Sequence, residues 1–256
     1  MFLNKKSIKK VVISVLAIAL IIVMSSITYT NGYGAVFFGG STRKLPIYSV
    51  DRNDNKIAIS FDCAYGNEYT KKILDVLDEY KVKCTFFTVE FWANKYSQDL
   101  IEIANRGHEI GTHSKTHPNM SKLSKAQIIE ELTSSKNVIE SITGKPVTLF
   151  RPPFGDYDNL VIETAESLGL YTIQWDVDSL DWKDLSSSEI TKRIVSKVKS
   201  GSIILCHNNA LHTHEALSYV LSNLQEKGYT FVPIGELIYK SNYTINSFGK
   251  QVPNKS

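Results

Sequence analysis

The residues of this chain best suited to chemistry fall in five short stretches. AISFDCAYGN (58–67) ends an apolar alternation on Asp62 and Cys63, two groups that can each carry a proton or hold a metal. HSKTHP (113–118) sets His113 and His117 four residues apart. At that spacing two imidazoles can reach one divalent ion, although histidines in a Ser/Thr/Pro loop can equally be solvated. The glutamate of a His-Glu-x-x-His protease helix is missing. RPPFGDY (151–157) reads as a rigid turn carrying Arg151, WDVDSLDW (175–182) as a polar loop between two tryptophans, and LCHN (205–208) as a strand end with His207. Each has a plain structural reading when taken alone. Together, a metal, a carboxylate and an imidazole are groups that could activate a water and move protons at one site.

Such residues act together only if the elements between them bring them to one place. A recurring pattern does this: a helical run, a glycine, then a short β-rich run. It appears in IANRGHEIGTH, ESITGKPVTLF, AESLGLYTIQW, SKVKSGSIILCH and LQEKGYTFVPI. Glycine takes the left-handed conformation just past a helix end, so each marks a helix stop and a strand start. Ser124 with Gln127 makes a capping box, and Asp158 precedes another apolar-periodic run. With KIAISFD and KCTFFTVE in front, strand and helix alternate about seven times, which implies a parallel sheet covered by helices, open or closed into a barrel. Asp62 and Cys63, His113 and His117, Arg151, Asp176 to Asp181, and His207 all follow strand ends, and the C-terminal rim of α/β barrels is where active sites form.

The 256 residues are 43% hydrophobic and 21% charged, which fits one globular domain of about 200 residues once the termini are set aside. The net charge of +3 owes much to Lys5, Lys6, Lys9 and Lys10, and no basic patch points to nucleic acid. Those lysines precede VVISVLAIALIIVM (11–24), so residues 1–28 are expected to be a signal peptide or an N-terminal membrane anchor, placing the protein outside the cytoplasm. Residues 29–54 read as a linker, 55–240 as the domain and 241–256 as a polar C-terminal tail. Three cysteines, an odd number, exclude a disulfide scaffold and leave at least one unpaired. The expected oligomeric state is a monomer.

In order, FD, HSKTHP, RPPFGDY, DSLDW and ILCH resemble the five motifs of the polysaccharide deacetylases of the NodB-homology type, carbohydrate esterase family 4, including its sporulation-type and cell-wall peptidoglycan members. The likeness runs from about residue 55 to 240. It implies an α/β fold, a distorted (β/α) barrel of about seven parallel strands. It also implies removal of N-acetyl groups from a cell-wall glycan with a divalent metal, zinc or else cobalt or manganese. Carried over, Asp62 would be the base, His113 and His117 metal ligands, His207 the general acid, Arg151 the group holding the base, and Asp181 the group orienting His207. Phe154 would lend its backbone N–H to the oxyanion, and Trp182 and Leu205 would seat the acetyl methyl. The family usually has a second aspartate as a third metal ligand where this chain has Cys63. Two readings stay open there: a thiolate ligand, giving a Cys-His-His site suited to zinc, or a small buried residue that leaves the metal to the histidines with water or Asp62. The same departure keeps open a catalytically inactive glycan-binding protein.

Overall fold

The computed structural model describes residues 43–254. The segment read as signal peptide or anchor, and the linker up to residue 42, lie outside the described residues. Strand β1 (Ser49–Val50) is followed by β2 (Lys56–Cys63), the centre of the main sheet. On one side of β2 come β3 (Thr85–Thr88), β4 (Glu109–Thr112), β5 (Leu149–Phe150) and β6 (Tyr171–Thr172). On the other come β8 (Ile203–His207) and β7 (Val177–Asp178). Every pairing along this path is parallel, and β9 (Thr230–Phe231) adds to the start of β2. The path ends at β6 and β7, so these seven strands form a barrel left open between them, as the sequence leads one to expect.

Helices α1 (Thr70–Glu79), α2 (Glu90–Lys95), α3 (Ser97–Asn105), α4 (Lys125–Thr143), α5 (Asn159–Ser167), α6 (Ser187–Val195), α7 (Thr213–Glu226) and α8 (Ile234–Leu237) alternate with and follow these strands. Helix α4 begins with the full Ser124–Gln127 capping box and ends at Gly144 with φ 66°. The Asp158 carboxylate accepts from the Val161 N–H to start α5. These local signals set where each helix stops, and hence where the next strand can begin.

Alternation along the strands divides the interior into two cores. Ile57, Ile59, Phe61 and Cys63 of β2 join Phe86, Ile204 and Cys206 in the larger core, which also holds buried residues of α1 to α7. Ala58 joins Phe87, Leu149 and Ile203 in the smaller core inside the barrel. Asp62, two along from Ser60 and four from Ala58, belongs to that inner side. Gly111 of β4 lies on the same side, where a Cβ would come within 2.6 Å of the Phe87 ring. The missing side chain lets Phe87 sit flat beneath the site described below.

Two boundaries need correction. The linker does not reach residue 54, and the polar tail is not an extension. β1 pairs in parallel with β11 (Lys250–Pro253), which pairs antiparallel with β10 (Tyr243–Ile245). The composition hid this sheet because its strands are two to four residues long and carry no apolar run. One buried polar group holds it: Gln251, fully buried, accepts from the Tyr239 N–H at 2.7 Å and donates to the Tyr239 carbonyl at 2.7 Å. YTIQW also differs from the single strand its composition suggests. After β6, Gln174 N–H bonds the Ile47 carbonyl at 2.7 Å, so residues from the supposed linker take the place of a continuing β6 partner.

Candidate active site

A cleft of about 620 Å³ opens at the C-terminal ends of the strands, lined by Asp62, His113, His117, Phe154, Trp182, Leu205 and His207 among others. Nine of the ten residues singled out in the sequence thus lie in it or bond directly to a residue that does; Cys63 is the exception.

Asp62 ends the inner face of β2. Its Oδ1 accepts from Arg151 Nη1 at 2.8 Å, and its Oδ2 lies 3.6 Å from His113 Nε2. Arg151 is completely buried, with its guanidinium 4.2 Å from the Phe87 ring centroid and 5.6 Å from that of Trp175. A second bond runs from Nη2 to the Gln174 carbonyl at 3.3 Å. Burial pushes the Asp62 carboxyl up, but Arg151, His113 and His207 outweigh it and hold the group below the usual carboxylate range. Asp62 is therefore ionised at neutral pH and able to accept a proton.

His113 follows β4, and its Nδ1 donates to the Arg151 carbonyl at 2.7 Å. That bond fixes the tautomer and turns an Nε2 lone pair toward the cleft. His117, four residues on, brings its own Nε2 to 3.2 Å from that atom. Two ligands at about 2.0–2.1 Å from one tetrahedral ion would stand roughly 3.3 Å apart, so the imidazole pair fits two positions of a divalent metal site. Burial lowers both imidazoles, His117 to about 4, and neutral imidazole is the ligating form. Among the described residues no three His, Cys, Asp or Glu side chains converge as a metal cluster.

Cys63 explains why the set stops at two. The strand does not end at Asp62 but continues regularly through Cys63, which pairs with Thr88. One step along a strand reverses the side chain, so Cys63 points into the helix-side core, fully buried, its Sγ 3.9 Å from the Phe61 carbonyl. Burial, and Asp62 behind it, push the thiol well above its ordinary range. The thiolate-ligand reading therefore finds no support, and Cys63 packs as a small apolar residue. Cys63→Ser is expected to leave zinc affinity unchanged, with iodoacetamide modification of the native thiol slow until the protein is unfolded. Calorimetric titration of both proteins with zinc, and mass spectrometry of the alkylated chain, check this; a clear loss of zinc binding in the variant would restore the thiolate.

Across the cleft, His207 ends β8. Its Nδ1 bonds Asp181 Oδ1 at 2.7 Å, and Asp181 Oδ2 accepts from the His207 backbone N–H at 2.8 Å and the Thr213 hydroxyl at 2.6 Å. Burial lowers the imidazole, but the Asp181 hydrogen bond and charge, with Asp62 and Asp178 beyond, raise it above its ordinary value. His207 is thus biased toward its protonated, acidic form, and its Nε2 is left for the cleft. Leu205 and Trp182 line the wall beside it. Phe154 stands on a turn with φ 58°, its ring 4.5 Å from that of His117. Tyr65, Trp175 and Asp178 also line the cleft. Sequence reasoning passed over Tyr65, whose ring centroid lies 6.0 Å from that of His117, because nothing local in the turn after β2 marks it for the cleft.

The polysaccharide deacetylase family model matches residues 49–173. A peptidoglycan-N-acetylglucosamine deacetylase of Bacillus cereus is 33% identical over 196 residues, which cover 75% of this chain and 92% of that protein. The chain belongs to the polysaccharide deacetylase family. YlxY of Bacillus subtilis is 36% identical over 198 residues, 77% of this chain and 62% of YlxY, so the chain spans under two thirds of that relative. Among solved structures, BA3943 of Bacillus anthracis, described as a CE4 family pseudoenzyme, superposes with a TM-score of 0.74 at 32% identity, covering 82% of this chain and 73% of that one. A mutant of BA3943 described as having restored enzymatic activity superposes at 0.73 with 36% identity over 75% and 70% of the two chains.

Proposed function

We propose that the cleft hydrolyses the acetamide of an N-acetylated peptidoglycan sugar, using a divalent metal held by His113 and His117. The observation that carries this reading is the pair of oppositely tuned groups facing each other across the imidazoles: Asp62 held toward its ionised form by Arg151 at 2.8 Å, and His207 held toward its protonated form by Asp181 at 2.7 Å. Groups whose environments push their proton affinities apart divide base and acid work between them. Bound there, a divalent ion would acidify a water and polarise the acetamide carbonyl. Asp62 takes the proton of the attacking water, and Arg151 keeps its carboxylate aimed. The Phe154 N–H would serve the developing oxyanion. Leu205 and Trp182 receive the methyl, and His207 protonates the departing amine. The substrate reaches the protein outside the cytoplasm, through the N-terminal segment's export or anchoring, and the enzyme works as a monomer.

Acetate release from peptidoglycan, with zinc content measured on the same sample, tests the reading. His113→Ala or His117→Ala should lower both together, since each removes a ligand that no neighbour replaces. Full zinc occupancy in both variants would sink the metal assignment.

A second reading has its own support. With Cys63 turned into the core, the protein offers two ligands where the family usually has three, and BA3943, similar to this chain, is described as a pseudoenzyme. A glycan-binding protein without catalysis would bind peptidoglycan fragments and release no acetate at any zinc concentration.

A further inference from the structure

The loop that carries both imidazoles is strained. Ser114 has φ 74° and His117 φ 60°, left-handed values that cost a non-glycine residue roughly 1–2 kcal/mol each. Something must hold the loop in that shape, and its own contacts are few. The His117 N–H donates to Ser114 Oγ at 3.0 Å, and the Ser114 N–H to Thr112 Oγ1 at 3.2 Å.

The Ser114 carbonyl accepts from the Glu90 N–H at 3.0 Å, and the rest of the backbone support on residues 115–116 comes from one face of α4. Glu131 Oε2 accepts the backbone N–H groups of both Lys115 and Thr116 at 2.8 Å each, while its Oε1 accepts the Thr116 hydroxyl at 2.6 Å. One turn further along, Ser135 Oγ accepts from Thr112 Oγ1 at 2.7 Å, the same hydroxyl that caps Ser114. Two residues four apart on a helix lie on one face, so α4 grips the loop at its start and at its middle. Helix α4 is itself fixed by the buried Ile128, Leu132 and Ile139.

We propose that Glu131 is a positioning residue: its carboxylate clamps residues 115–116 and thereby sets His117 Nε2 at ligand distance from His113 Nε2. The value of the clamp for metal binding rests on the function proposed above; the clamp itself does not. A carboxylate suits the task because two adjacent N–H donors and a hydroxyl converge on it, and it accepts all three at once. The neighbouring Glu130 serves as an internal control. It pairs only with the exposed Lys115 ammonium, at 2.7 Å.

The test uses Glu131→Ala, Glu131→Gln and Glu130→Gln in the full chain, titrated with zinc alone well below the melting temperature. Partners of metal ligands typically contribute 10–100-fold in affinity, so Glu131→Ala should bind zinc about that much more weakly. Glu131→Gln, which keeps one acceptor, should fall between, and Glu130→Gln should match the wild type. Metal-free protein is followed by NMR in parallel. Lys115 and Thr116 amides should exchange slowly in the wild type and fast in Glu131→Ala, with the His113–His117 ring contact weakened. Should the wild type bind no zinc, the metal reading fails while the exchange data still decide the clamp. An unchanged ring contact and unchanged exchange in Glu131→Ala would overturn it, as would equal losses of zinc affinity in the Glu130 and Glu131 variants.

Discussion

His207→Ala is expected to cut acetate release by roughly 10² to 10⁴ while zinc stays bound. The His207 imidazole bonds to Asp181 on one side and faces the cleft on the other, away from the bonds that His113 and His117 make. Asp181→Asn separates charge from geometry. Its amide oxygen can still accept from Nδ1, but the negative charge that raises His207 is gone, so the alkaline limb of the rate profile should move to lower pH. The stability effect has the matching sign. Because His207 binds its proton more tightly folded than unfolded, the pair stabilises fully below the ordinary imidazole value near 6.5 and loses that contribution as pH rises through the raised folded value. Rate–pH profiles and thermal melts of the two proteins check both. An unmoved alkaline limb would mean that another group delivers the proton.

Arg151→Met should destabilise the protein by about 3–5 kcal/mol, because it strands the Asp62 carboxylate, whose side chain is 7% exposed, without its partner. Acetate release should disappear with it. Combining Arg151→Met with Asp62→Leu should recover much of the stability and none of the activity, since a buried pair replaced by apolar residues is often neutral for folding. Denaturant melts of the single and double variants measure the difference. If the single variant melts like the wild type, the guanidinium is not what keeps Asp62 ionised. The Phe87 ring under Arg151, and the glycine at 111 that makes room for it, extend this dependence into the barrel core.

Much of this was legible in the chain. The Ser124–Gln127 box and Gly144 bounded α4 correctly, and the positions of Asp62, His113, Arg151 and His207 just past apolar runs anticipated their meeting at one rim. Cys63 was not legible, because a residue's side of the sheet depends on whether the strand still runs regularly at that point. Hydrogen bonding to β3 keeps β2 regular to its last residue, and no local composition announces that. Glu131 was hidden for a different reason. It lies 15 and 16 positions beyond the amides it holds, on a helix whose own periodicity accounts for a charged residue there without any further role. The closing strands escaped because a two-residue pairing held by one glutamine leaves almost no hydrophobic trace.

Those closing strands also bear on any attempt to shorten the protein. The motifs end by about residue 240, and a chain cut after Lys240 would look sufficient. It would lose the carbonyls of Gly249 and Gln251 that accept from the Tyr48 and Asp51 N–H groups. The β1 edge would then stand open to pairing with another molecule, the usual route from a trimmed sheet to aggregation. The damage would travel inward too. Ile47, beside that edge, holds Gln174, and the Gln174 carbonyl is the second anchor of Arg151. Truncation far from the cleft would thus loosen the residue on which Asp62 leans.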